Sequence, residues 1–215
     1  MRGLRGSDRL VGIVTVLLAL AVPLAAQAPA GWKVRVDRSQ SATDPDNTPN
    51  LKFAAMGKGF HVTGGPAGTF WNPANTGTGD YTVRATFTLL KPSNHTNYYG
   101  LMFGGGDLDA AGQNYIYFLI AQDGTYLVKH RAEEATHDVQ RTTAHKAIQQ
   151  PDAKGQSTNT LEVRVAGNTV SYVVNGTVVH TTPKTGMTAK TDGIAGVRVN
   201  HVLDVHVEGF EVSKK

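Results

Sequence analysis

From Trp32 onward, short runs rich in Val, Thr, Tyr, Phe and Ile alternate with clusters of Gly, Asn, Asp and Pro. No stretch keeps helical spacing for more than about two turns, which is the signature of an all-β chain. The runs predict strands at Trp32–Val36, Leu51–Ala55, Gly59–Thr63, Gly68–Trp71, Tyr81–Leu90, Tyr98–Gly104, Tyr115–Gln122, Thr125–Ala132, Asn159–Ala166, Thr169–Asn175, Thr177–Thr181, Ile194–Asn200 and Leu203–Val212. Asp37–Pro49 is polar and reads as a loop. His137–Ser157 is weakly patterned, with one helical turn expected at Ala144–Gln149.

Three gaps have the chemistry of two-residue hairpin turns: Asp123-Gly124, Gly167-Asn168 and Asn175-Gly176 supply residues that tolerate positive φ. Across Gly167-Asn168 the expected pairs are Val165 with Val170, Val163 with Tyr172 and Leu161 with Val174, leaving Arg164 and Ser171 on the other face. One dry face and one wet face are what a sandwich strand pair requires. In Tyr115–Gln122 both faces are apolar, but Tyr115, Tyr117 and Leu119 share one and Ile116, Phe118 and Ile120 the other. A two-residue turn at Asp123-Gly124 sets Tyr117 beside His130 and Ala121 beside Tyr126. A bulge there would slip the register and bring Lys129 and Arg131 to the tyrosine face instead.

The amino terminus has a different character. Arg2, Arg5 and Arg9 lead into an uncharged apolar run from Leu10 to Leu24, followed by Ala26-Gln27-Ala28. That is the layout of a secretory signal peptide, and the run is shorter than the roughly 20 residues a membrane span needs. Residues 1–28 are therefore expected to be a leader and 29–215 a single extracytoplasmic domain, periplasmic or secreted, with no membrane insertion after the leader is removed. Cleavage after Ala26 or Ala30 is an alternative, since Pro29 follows Ala28. The leader's three arginines and Asp8 account for half of the formal net charge of +4. The rest of the charge is evenly spread, which argues against a nucleic-acid surface. The chain contains no cysteine, so the exported fold must be stabilised by packing without disulfides.

The order Asn159–Val165, a Gly-Asn turn, Val170–Gly176, then Gly193-Ile194-Ala195-Gly196-Val197-Arg198-Val199 and a closing Phe210-Glu211-Val212 strand resembles the concanavalin A-like lectin/glucanase superfamily. Within it, the pattern is most similar to 3-keto-disaccharide hydrolase-type (LamG-like) domains of exported bacterial proteins. The pieces Gly79–Phe87 and Tyr99–Gly105 fit the same pattern, so the resemblance spans about Tyr81 to Val212. It implies a two-sheet antiparallel jelly-roll sandwich whose concave face commonly holds a sugar. Fold does not dictate function, because this architecture hosts binders and enzymes alike.

Glycosidases usually place two carboxylates across the scissile bond. The glucanase branch draws them from a Glu-x-Asp-x-x-Glu strand, and this chain has no such run. Its glutamates are Glu133, Glu134, Glu162, Glu208 and Glu211, of which the first two are consecutive and Glu162 falls on a wet hairpin face. Sugar rings stack on aromatic faces, and their hydroxyls pair with amides, carboxylates or guanidinium groups. The expected ligand-binding residues are accordingly Tyr115, Tyr117, Tyr126 and His130, joined by Arg198, Asn200 and His201 where the penultimate strand meets its turn. His95 and Tyr98-Tyr99, flanking Asn97, and Trp71 with Asn72 stand where they would cap the same groove. Asp107 and Asp109, delivered by the run Gly104-Gly105-Gly106, are the candidate metal ligands, with calcium as the ion and Gln113 and Asn114 as further oxygen donors. The reading that follows is a monomeric, exported, lectin-like protein with a glycan or polyol ligand. A hydrolase of a small modified saccharide, with acids drawn from Asp107, Asp109 or Glu133, and a structural envelope protein are the alternatives.

Overall fold

The computed structural model describes residues 28–39, 41, 43, 44, 46 and 51–214; the expected leader lies outside the described residues except for Ala28. Fourteen strands run in chain order: β1 (Lys33–Asp37), β2 (Lys52–Met56), β3 (Gly59–Thr63), β4 (Ala67–Gly77), β5 (Tyr81–Lys91), β6 (Tyr98–Gly106), β7 (Asn114–Ala121), β8 (Thr125–Ala132), β9 (Ala135–Ala144), β10 (Ser157–Ala166), β11 (Thr169–Val174), β12 (Thr177–Pro183), β13 (Gly193–Val199) and β14 (Asp204–Lys214). They form two antiparallel seven-stranded sheets, β1-β4-β13-β6-β7-β8-β9 and β12-β11-β10-β5-β14-β3-β2, stacked as a jelly-roll sandwich of the concanavalin A-like type. The helical content of the described residues is one 3-10 turn at Gly186–Thr188, and none of their helices is long and apolar enough to cross a membrane.

Strict alternation builds the core. In β5 and β10 every second residue is buried, so Tyr81, Val83, Ala85, Phe87 and Leu89 meet Leu161, Val163 and Val165 on the inner face. The other sheet supplies Tyr99, Leu101, Phe103, Ile116, Phe118, Ile120 and Val197 to the same cluster. Removing this apolar area from water is the main stabilising term for a chain without disulfides. Trp32, Phe53, Phe60 and Phe210 close one end as an edge-and-tilt aromatic group. The β10–β11 register matches the sequence expectation, with Val165 opposite Val170, Val163 opposite Tyr172 and Leu161 opposite Val174. Asn175 and Gly176 both take positive φ, 50° and 81°, as a type I′ turn demands.

Three expectations are corrected. The connection between β7 and β8 has three residues, Gln122, Asp123 and Gly124. The Gly124 N–H donates to Ala121 O at 3.1 Å and Gly124 has φ 81°, which is a type I turn ended by a left-handed glycine. That extra residue slips the register by one, so Tyr117 faces Lys129 and Tyr115 faces Arg131. The weakly patterned segment holds a strand, β9, at the edge of the first sheet; both its faces are largely exposed, so no alternation marks it. Its successor, His145–Ile148, is a hydrogen-bonded turn in place of a helical one.

Burial also sets a pH dependence. It pushes the imidazoles of His180, stacked on Tyr172 at 5.8 Å, and His130 below the ordinary histidine pKa; His137 reinforces the shift at His130. A depressed folded-state pKa means that the unfolded chain binds the proton first as pH falls. Stability is therefore expected to be complete above about pH 6.5 and to decline as pH falls through the lower folded values. Urea midpoints at pH 7.5 and 5.5 measure this, and His180→Gln should reduce the difference between them.

Candidate functional site

The outer face of the first sheet carries a second, smaller apolar cluster: Trp71, Met102, Leu108, Tyr115, Tyr117, Leu119 and Leu127, with Tyr98 and Ile194 packed against it. Its order follows from register. One row across all seven strands reads Lys33, Trp71, Gly196, Met102, Tyr117, Lys129 and Asp138. The next reads Arg35, Thr69, Arg198, Gly100, Leu119 and Leu127. Glycines at the sheet centre contribute no side chain to these rows, and an open groove of about 610 Å³ lies over the part of the rows that runs through Arg198, Tyr117, Leu119, Leu127, Lys129 and Asp138.

Tyr117, Leu119 and Leu127 are among the groove's lining residues, together with Tyr98, Asn97 and Thr96 from β6 and the loop before it, Lys129 and Asp138 from the paired strands β8 and β9, and Arg198, Asn200 and His201. The charges are unequal: Lys129 and Arg141 share Asp138, at 3.1 and 3.6 Å, while Arg198 is balanced by Asp37. Arg198 is nearly buried. One of its terminal nitrogens donates to Asp37 Oδ2 at 2.6 Å, Thr69 Oγ1 at 3.0 Å and Tyr115 Oη at 3.0 Å, and its guanidinium carbon sits 5.3 Å from the Tyr117 ring centre. Burial acts to lower its pKa, but the Tyr115 oxygen and the Asp37 carboxylate outweigh it and hold the guanidinium charged. Arg198 Nε and Asn200 Oδ1 are buried without a hydrogen-bond partner among the described residues. Buried polar atoms are normally paired. These two unpaired atoms sit beneath the surface of residues that line the groove.

The sequence-predicted residues separate into two sets. Tyr117, Arg198, Asn200 and His201 come together in the groove. Tyr115 lies on the same face but is sealed beneath it at 0% exposure, its hydroxyl committed to Arg198 and Thr69, so it is a floor support and is not displayed. Tyr126 and His130 are on the opposite face because of the one-residue slip. Tyr126 opposes Ile120 and its hydroxyl donates to Val179 O at 3.1 Å, while His130 opposes Ile116. The slip brings Lys129 and Arg131 to the tyrosine face; Lys129 lines the groove, and Arg131 is tied to Glu134 at 2.9 Å.

The loop expected to hold calcium is arranged as follows. Asp109 is exposed and pairs with Lys33 Nζ at 2.9 Å; that hydrogen bond and charge hold its carboxyl below the usual range. Asp107 occupies a turn at φ 51°, Gln113 is fully buried, and Asn114 Oδ1 meets His130 Nε2 at 3.3 Å. The described residues able to coordinate a metal ion together are instead Asp46, His95 and His201. His95 and His201 are more than a hundred positions apart, so no local spacing could reveal the pair. Burial lowers the His201 pKa and Asp46 opposes that shift.

No protein-family model and no curated protein matches this chain. Solved structures do. The carbohydrate binding module CBM66 from Bacillus subtilis is 13% identical, with 86% of this chain and 96% of that one covered and a TM-score of 0.61. An endo-β-1,3-glucanase from Pyrococcus furiosus is 10% identical over 89% and 91%, with a TM-score of 0.58. A Bacillus subtilis protein of unknown function with a galectin-like fold is 13% identical over 85% and 89%, with a TM-score of 0.59. At these identities the likeness is one of fold. The chain is a concanavalin A-like sandwich, a fold found both in carbohydrate-binding proteins and in glycoside hydrolases.

Proposed function

We propose that this protein is an exported, lectin-like carbohydrate-binding protein that holds a glycan in the groove of its first sheet, and that the groove prefers sugars carrying a carboxylate. The observation that carries this reading is the groove's chemistry. Tyr98 offers a ring face beside a floor that includes the nearly buried Tyr117, Asn97 and Asn200 carry amides, and Lys129 and Arg141 outnumber the single lining carboxylate, Asp138, while Arg198 is paired with Asp37. A glycosidase needs a second acid across the bond. Asp138 is engaged by two cations, which supports binding over hydrolysis. The fold shared with a carbohydrate-binding module supports the same reading. The finer kinship to 3-keto-disaccharide hydrolase-type domains belongs to this proposal and rests on the strand and turn pattern from Tyr81 to Val212. Export rests on the basic and apolar pattern of residues 1–28.

Calorimetric titration of the purified protein with neutral and uronic oligosaccharides of equal length tests the reading. The uronic series is expected to bind more tightly, and its affinity should fall as salt rises, because exposed charge pairs are screened. Lys129→Ala and Tyr98→Ala should each weaken binding by roughly tenfold, the equivalent of about 1.4 kcal/mol. Binding unchanged in both variants, or release of reducing sugar by the wild type, would displace the proposal.

A further inference from the structure

We propose that Asp46, His95 and His201 form a site for a zinc-class divalent ion at the edge of the groove. The three side chains come from separate loops: one before β2, one between β5 and β6, and the turn between β13 and β14. Their ligating atoms lie close together, with His95 Nε2 to His201 Nε2 at 3.2 Å, His201 Nε2 to Asp46 Oδ2 at 3.0 Å and His95 Nε2 to Asp46 Oδ2 at 3.7 Å. An ion bound at ~2.0–2.1 Å to each atom in a tetrahedral shell requires ligand atoms about 3.3 Å apart. The observed edges straddle that value, so an ion needs only small adjustments to enter.

The protonation state fits as well. His95 Nδ1 lies 2.7 Å from Asn94 Oδ1, an acceptor, so Nδ1 carries the proton and Nε2 presents its lone pair to the cluster. An outer-shell oxygen that fixes the tautomer is the usual companion of a metal-bound histidine. Asn97 Nδ2 donates to that same lone pair at 3.1 Å. His201 would ligate through Nε2 as the neutral tautomer that carries its proton on Nδ1, so no proton need leave the ring. Two imidazole nitrogens and one carboxylate oxygen suit zinc and its first-row neighbours, whereas calcium and magnesium want oxygen shells. His95, His201 and Asp46 keep 48%, 30% and 26% of their side-chain surface exposed, so an ion can reach them. Three protein ligands leave a further position for water or a ligand oxygen. His201 and Asn97 line the groove, which places that position beside any bound molecule. This inference does not depend on the groove's ligand being a sugar.

The test is calorimetric titration of tag-free, chelator-stripped protein with Zn2+, paired with Co2+ uptake followed by visible absorption. One ion per chain is expected, with the intense visible bands of low-coordinate cobalt. His95→Ala and His201→Ala should each weaken Zn2+ binding by at least about 100-fold, the upper end of what an outer-shell change alone costs. Asn94→Ala should weaken it about tenfold. If either histidine variant fails to fold, Asp46→Asn, a same-size change at a loop position, carries the test in its place. No Zn2+ uptake by the wild type, uptake equal in wild type and folded variants, or preference for Ca2+ over Zn2+ would overturn the proposal.

Discussion

Arg198→Met is expected to be among the most damaging single substitutions in this protein, costing about 3–5 kcal/mol of stability and abolishing ligand binding. The reason lies in what the change leaves behind. Asp37, with 16% of its side chain exposed, gives Oδ2 to Arg198 at 2.6 Å, and without that partner it becomes a largely buried, uncompensated carboxylate. Arg35 Nε remains 3.7 Å from Asp37 Oδ1, which moves the expectation toward the lower end of the range. Thr69 and Tyr115 lose a shared donor as well. Arg198→Lys should lose less than Arg198→Met, since one terminal nitrogen serves all three acceptors and a lysine ammonium keeps the positive charge and three donors. Asp37→Asn combined with Arg198→Met should recover a substantial part of the loss, because the stranded charge is then gone. Urea unfolding of the wild type, Arg198→Met, Asp37→Asn and the double variant as a double-mutant cycle measures the coupling. A loss under about 1 kcal/mol for Arg198→Met would mean that Asp37 is adequately solvated without it.

The second large effect is expected from Gly196→Ala. Gly196 stands on β13 between Trp71 of β4 and Met102 of β6, at a register shift in both pairings. A Cβ added there would lie 2.2 Å from Phe70 O and 3.1 Å from Trp71 Cβ, with Met102 Sδ at 3.2 Å. The nearest atom is backbone, so relief requires β13 and β4 to separate in the middle of the sheet. Overpacking usually costs about 1–3 kcal/mol and occasionally more; with a backbone oxygen as the obstacle, about 3 kcal/mol is the expectation. A thermal midpoint lowered by several degrees, at roughly 2–4 °C per kcal/mol for a domain of this size, would agree with it. A midpoint within a degree of wild type would show that the two strands can part cheaply.

What could be read in the chain, and what could not, follows from how local each signal is. Alternation in β5 and β10 is a property of neighbouring residues, so the sandwich and its inner faces were legible from the positions of Val83, Phe87 and Val163. The separation of Tyr117 from Ile116 and Phe118 was legible for the same reason. Which residues of β8 join Tyr117 was not, because it turns on whether the hairpin loop holds two residues or three, and a single extra residue exchanges every side chain between faces. That is why Lys129 lines the groove and His130 does not. Exposure was a second blind spot. Tyr115 and Tyr117 are identical in pattern, and only contacts from distant Thr69 and Arg198 bury both, at 0% and 5% exposure, with Tyr117 alone reaching the groove lining. The pairing of Asp109 with Lys33 and the meeting of His95 with His201 are likewise products of topology, joining loops that no spacing rule connects.

Backbone amide NMR during titration with a uronic tetrasaccharide locates the contact surface directly. Perturbations are expected to concentrate at Tyr98, Tyr117, Leu119, Lys129, Asn200 and His201, with the second sheet quiet. Saturable shifts confined to β10, β11 and β12, or none at millimolar ligand, would contradict a binding groove on the first sheet.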